Sequence, residues 1–234
     1  MENLVKVLSD IKNTGRNVIL VSSGAIGVGV GKMGLKERPK DTPTKQAIAA
    51  VGQCELMYIY DKLFSVYHHT VAQVLLTGDV LEHPQRCANV LNTFNRLADL
   101  GCIPIVNEND TVAVEEIEFG DNDALSALVA KLTNADALIM LTDTDGLFTK
   151  NPNLHSDATL IEDVCQIDAP ILAAAESTCN SLGTGGMSTK LRAAQTATEN
   201  GIDAFIINGK NPLILYDLFD GKKCSTFFHK KEKL

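Results

Sequence analysis

Cys87–Val106, CANVLNTFNRLADLGCIPIV, holds one complete passage from helix to strand. Helix-patterned residues run from Cys87 to Leu100, Gly101 stops them, and the β-rich apolar run Ile103–Val106 follows. A glycine there supplies the left-handed C′ conformation that ends a helix. The run after it is apolar on both alternating faces, as a parallel strand covered by helices requires. The same grammar recurs at Leu4–Thr14, Gly15 and Val18–Val21, and at Met187–Asn200, Gly201 and Ala204–Ile207. In the first of these helices Leu4, Val7, Leu8 and Ile11 share a face. Val71–Leu76 and Ala137–Leu141 read as two further buried strands. Helices alternating with buried strands predict an α/β fold, a sandwich about a mainly parallel sheet. A soft division near residue 135 would leave one lobe on each side.

The loop after each strand run is polar, Gly-rich or Asx-rich. VILV leads into SSGAIGVG, VLL into TGD, PIV into NEND, IML into TDTDG and FII into NGKNP. Open α/β sheets bind ligands beyond the carboxyl ends of their strands. Five such loops in register therefore put the chemistry on one edge of the sheet.

Composition narrows the function. The 234 residues carry 21 Lys and Arg against 29 Asp and Glu, a net charge of −8, with a pI near 5.1. Duplex nucleic-acid binding needs a basic footprint, so it is disfavoured. The one basic cluster, His229–Leu234, reads as a solvated tail. With no Trp and 5% aromatic residues, the core must be built from Val, Ile, Leu and Ala. The six cysteines form no C-x-x-C pair, and most fall in apolar stretches, where a thiol acts as a small hydrophobe. With no signal-peptide pattern and no run of about 18 apolar residues, a reducing, cytoplasmic setting is expected.

Several strings are richer than structure alone needs. Gly29–Gly34 fits the dinucleotide fingerprint, but it lies well past its strand and lacks a second strand ending in an acid. In Val21–Gly29, Ser22, Ser23 and Gly24 stand where a strand ends, suited to a backbone anion cradle or to a plain turn. Gly183–Lys190, GTGGMSTK, opens a helix with three glycines, three hydroxyls and a lysine, where free N–H groups and a positive dipole end suit phosphate. Phe119–Leu132, FGDNDALSALVAKL, starts another helix, with Leu125, Leu128, Val129 and Leu132 as its buried stripe. One side chain suffices to cap it; Asp121, Asn122 and Asp123 leave groups over for an amino group, a carboxylate or a Mg²⁺ shell, unless the helix is only richly capped.

Taken in order, VSSGAIGVG, QAIAAVGQ, VNENDTV, FGDNDALSA, LTDTDGL and GTGGMSTK resemble the glutamate-phosphorylating branch of the amino acid kinase family. The likeness spans the chain from Leu4 to about Phe228. It implies an αβα sandwich and ATP-dependent phosphorylation of the γ-carboxylate of L-glutamate, with Mg²⁺, in a dimer or tetramer. By position, Ser23, Asp110 and Asn122 would contact glutamate, with Asn107 and Asp121 nearby. Asp123 would orient catalytic lysine, here Lys190. Thr142 and Asp143 would meet the nucleotide, and Thr184, Gly185, Gly186, Met187, Ser188, Thr189 and Lys190 its phosphates. The family pattern opens with one more strand, ending in a K-x-G-[ST]-S turn with a second lysine. The resemblance thus implies roughly 20–25 residues ahead of Met1, a strand and its connection, without which the chain would be inactive and associate through an open sheet edge. Many relatives also carry a C-terminal PUA domain, which has no counterpart here.

The chemistry agrees. A carboxylate nucleophile is already ionised at neutral pH, so phosphoryl transfer to it needs alignment and charge stabilisation rather than a catalytic histidine. A binding protein without turnover, a kinase for another carboxylate and a nicotinamide enzyme remain the alternatives.

Overall fold

The computed structural model describes residues 1–112, 122–177 and 186–231. The chain divides into two compact units, Met1–Asn122 and Asp123–Leu234.

In the first unit, α1 (Glu2–Asn13) leads to β1 (Leu20–Val21) and α2 (Ala25–Lys32). Then come α3 (Thr42–Ser65), β2 (Val71–Leu76), a 3₁₀ turn at Gly78–Glu82, α4 (Pro84–Asp99) and β3 (Ile103–Glu108). Gly15 and Gly101 take the positive φ expected of them, +90° and +73°. Asp41 caps α3, its carboxylate accepting from Thr44 N, and Pro43 sits in the first turn, so the helix starts at Thr42. The strands pair in parallel in the order β1-β3-β2, with β3 buried between its neighbours.

Pro104 explains why β1 is shorter than Val18–Val21. Ile103 N–H donates to Thr70, on the β2 side. Alternation turns Pro104 toward β1, where it has no N–H to give. Pairing with β1 accordingly begins at Leu20–Ile105. The α1 face is also broader than its spacing suggests: Val5 and Ser9 are buried along with Val7 and Ile11. The core of this unit joins Val5, Leu56, Tyr60, Phe64, Ile103 and Ile105.

Helices α2 and α3 meet backbone to backbone. A Cβ on Gly52 would lie 1.7 Å from the Ala25 carbonyl oxygen, and one on Gly29 would lie 2.1 Å from that of Ile48. Gly29 and Gly31 of the apparent dinucleotide string thus lie inside a helix, and Gly29 serves helix packing.

α5 (Asn122–Thr133) opens with the last residue of the first unit and runs on into the second. There follow β4 (Ala137–Thr142), β5 (Asp163–Val164), α6 (Ala169–Ser177), α7 (Met187–Glu199), β6 (Asp203–Asn208), α8 (Ile214–Phe219) and β7 (Ser225–Phe228). The sheet order is β4-β6-β7-β5; β4 and β6 are parallel, and β7 runs antiparallel to β6. Leu138, Met140, Leu191, Ala194, Ile206 and Phe228 anchor its core.

Two expectations are corrected. The basic tail is tied down as far as Lys231: His229, Lys230 and Lys231 donate their backbone N–H groups to Val164 O, Asp203 Oδ1 and Thr198 O. Nor are the cysteines core thiols. Cys54 and Cys165 are exposed, and Cys87, Cys102 and Cys224 are half-buried; Cys179 lies outside the described residues. Among the described residues no helix is long and apolar enough to cross a membrane.

Candidate active site

The first unit gathers polar side chains where β1 and β3 end. Asn122, at the start of α5, donates through Nδ2 to Ser23 Oγ (2.8 Å) and to Asn107 Oδ1 (3.1 Å). Asn107, the fifth residue of β3 and buried, accepts a second bond at Oδ1 from Glu108 N (2.9 Å) and donates to Gln53 Oε1 (2.9 Å). Two of the expected substrate contacts, Ser23 and Asn122, are therefore brought together with Asn107.

Ser22 is turned away from that role. Its hydroxyl is buried at 2.7 Å from the Tyr60 hydroxyl, and its N–H donates to Val106 O. It holds the end of β1 to α3 and β3 rather than cradling an anion. Burial pushes the Tyr60 phenol up, against the opposing pull of the Ser22 bond. Gly24 takes φ +105° and begins α2, a turn that a side chain would strain.

Just past β3, burial pushes the Asp110 carboxyl above its usual range. Burial does the same to Glu108, and the Asp110 charge adds to it. Two such carboxylates favour a cationic ligand. Asp121 lies outside the described residues.

The second unit holds the other candidates. Lys190 Nζ lies 3.0 and 3.2 Å from the Asp123 carboxylate oxygens, and both side chains are nearly buried. Thr189 Oγ1 reaches Asp123 Oδ2 (2.8 Å) and Gly186 O (2.7 Å). Helix α7 has Gly186 at its N-cap and, among the described residues, no side-chain cap bond, so the N–H groups of its first turn suit an anion. Met187 is buried in the core, and Ser188 stands beside it in that turn. Thr184 and Gly185 lie outside the described residues. Thr142 and Asp143 stand at the carboxyl end of β4, joined by a 3.3 Å hydroxyl–carboxylate bond. The end of β6 lies alongside, Thr142 pairing with Asn208, whose Nδ2 donates to Asp145 (2.7 Å).

The model of the amino acid kinase family matches residues 1–208. The chain belongs to the amino acid kinase family. It is 51% identical over 236 residues to the glutamate 5-kinase of Clostridium perfringens, covering 99% of this chain and 88% of that one. Against the glutamate 5-kinase of Ligilactobacillus salivarius it is 49% identical over 235 residues, with the same coverage. The carbamate kinase of Giardia lamblia, solved bound to AMP-PNP, shares the fold: TM-score 0.66 and 16% identity, over 98% of this chain and 90% of that one.

Within this amino acid kinase, Gln53, Tyr60 and Asn208 were not among the residues that sequence reading singled out. Gln53 closes the QAIAAVGQ string, a polar residue on a helix whose neighbours are apolar. That is the signal it offers.

Proposed function

We infer that the chain transfers the γ-phosphoryl group of ATP to the γ-carboxylate of L-glutamate, the first step toward proline. About half identity to glutamate 5-kinases over nearly the whole chain carries this reading. The joined Ser23, Asn107 and Asn122 side chains support it: with the Asn122 N–H groups spent within the protein, its amide oxygen is left to accept from an ammonium group and the Ser23 hydroxyl to donate to a carboxylate. Asp110, with Glu108 beside it, takes the α-ammonium group. Thr142 and Asp143 hold the nucleoside, and residues 186–190, continued by Thr184 and Gly185, hold the phosphates.

A γ-carboxylate oxygen attacks the γ-phosphorus, the bond to the bridging oxygen breaks, and ADP leaves. No proton needs removal. Lys190, oriented by Asp123, balances the charge that develops on the transferred group. Mg²⁺, when bound, would come with the nucleotide and screen the charge of its phosphates beside Lys190. The enzyme works in the cytoplasm as a homodimer or homotetramer, as the family resemblance implies.

The test is formation of γ-glutamyl hydroxamate from ATP, Mg²⁺, L-glutamate and hydroxylamine, with aspartate and carbamate as rival acceptors. Turnover with a rival and none with glutamate would overturn the substrate assignment.

A further inference from the structure

We propose that Gln53 is a positioning residue, which sets the amide polarity of Asn107 and through it that of Asn122. The inference rests on the glutamate reading above and names a residue that reading does not use.

The two ends of a side-chain amide are alike in shape, and its hydrogen-bond neighbours decide which end is oxygen. Here the decision starts from the backbone. The Glu108 N–H is a donor in every arrangement, and it meets Asn107 Oδ1 at 2.9 Å. The acceptor end of Asn107 is thereby settled, and Nδ2 faces the other way. There Gln53 Oε1 accepts it at 2.9 Å. Reversing Gln53 would set two NH₂ groups against each other. With Asn107 held so, its Oδ1 also receives Asn122 Nδ2, whose amide in turn donates to Ser23 Oγ. If Asn107 turned over, Asn122 would face a donor and lose the acceptor that orients it.

This polarity carries a penalty in Gln53 itself. The residue is 8% exposed, and its Nε2 is buried with no hydrogen-bond partner among the described residues. Buried donors are nearly always paired, so each exception calls for a reason. Here the reason is that the oxygen end is needed at Asn107.

The scaffold suits the task. Gln53 and Tyr60 lie seven residues apart, hence on one face of α3. Tyr60 holds Ser22 at the end of β1, and Gln53 holds Asn107 near the end of β3. Gly52, beside Gln53, brings α3 into backbone contact with α2.

Two variants separate polarity from packing. Gln53→Met keeps the volume and removes the acceptor; Gln53→Glu keeps an acceptor and removes the unpaired donor. The first readout is the side-chain amide ¹H–¹⁵N resonances of Asn107 and Asn122 in the free protein. The second is the KM for glutamate against kcat and the KM for ATP. Gln53→Met is expected to move both sets of resonances and raise the glutamate KM about tenfold, with kcat and the ATP KM within about twofold of wild type. Gln53→Glu is expected to keep the wild-type resonances and bring the glutamate KM back to within about threefold. Unmoved resonances in Gln53→Met, or a parallel loss of kcat and of both KM values, would overturn the proposal. Should that variant fail to fold, displaced Asn107 and Asn122 resonances in Gln53→Glu would overturn it equally. A wild-type protein that ignores glutamate while its resonances respond to Gln53→Met would sink the substrate reading and leave the amide relay standing.

Discussion

Asn122 gives both hydrogens of one NH₂ group to its neighbours, Ser23 and Asn107, and keeps an amide oxygen as a further acceptor. Asn122→Ala removes that acceptor, which the proposed function gives to the substrate, and unties two site residues. It should raise the glutamate KM by roughly 10–100-fold, the equivalent of about 1.5–3 kcal/mol, and leave the ATP KM nearly unchanged. Steady-state kinetics in both substrates checks this. The carboxyls at the end of β3 and just past it predict a pH dependence of two opposite signs. Asp110 and Glu108 titrate above their unfolded values because of burial. The folded state therefore binds these protons more tightly, and the stability linked to them is fully present below the unfolded values and lost as pH rises through the folded ones. Binding of an ammonium group runs the other way, since it needs the ionised forms. Lowering pH through that raised carboxyl range should weaken glutamate binding while relieving the stability penalty, and Asp110→Asn should raise the melting temperature at neutral pH while raising the glutamate KM. Thermal melts and kinetics on one pH series would show both trends; a melting temperature lowered by Asp110→Asn would refute the first. Lys190→Ala should cut kcat by roughly 10²–10³ and, by removing the ammonium group beside the nearly buried Asp123 carboxylate, lower stability in urea unfolding. Normal kcat in that variant would remove Lys190 from the reaction.

Glycines of α2 and α3 divide into those the packing requires and those it does not. A methyl group on Gly52 would overlap the Ala25 carbonyl, whereas one on Gly31 meets nothing within 4 Å. Gly52→Ala should therefore destabilise by about 1–3 kcal/mol or more, and Gly31→Ala should stabilise by roughly 0.5–1 kcal/mol. Denaturant melts of the pair read out opposite signs. This contact also explains why α2 was hard to read. AIGVGVG is weak helix material by propensity, and the helix stands because Gly29 permits close packing on α3. Where burial on both faces and a terminal glycine decided an element, the sequence was legible: β2 matches Val71–Leu76 residue for residue, and β3, β4 and β6 differ by one or two. The two residues of β5 and four of β7 were not legible, because strands so short are specified by partners distant in the chain. The site divides in the same way. Ser23, Asn107 and Asn122 stand at element ends, where polar strings are conspicuous. Gln53 stands in the middle of α3, and nothing local says which strand end it will meet.

At the scale of the whole chain, the candidate glutamate groups lie in the unit Met1–Asn122 and the candidate phosphate groups in Asp123–Leu234. Hydrogen exchange should reflect that division. Glutamate alone is expected to slow exchange at the end of β3 and after β1. A non-hydrolysable ATP analogue alone should slow it in the first turn of α7 and at the ends of β4 and β6. Protection by the analogue confined to the first unit would contradict the assignment. The Lys190–Asp123 pair has a further consequence, for selectivity among the ions of an ordinary cell. A lysine already neutralised by an internal carboxylate at 3.0 Å is a poor trap for chloride or inorganic phosphate, which would have to outbid Asp123 with little else to hold. A polyphosphate that also engages the backbone at the head of α7 can make that exchange. On the proposed function the ion pair would act as a threshold, keeping the lysine clear of stray anions until the nucleotide arrives.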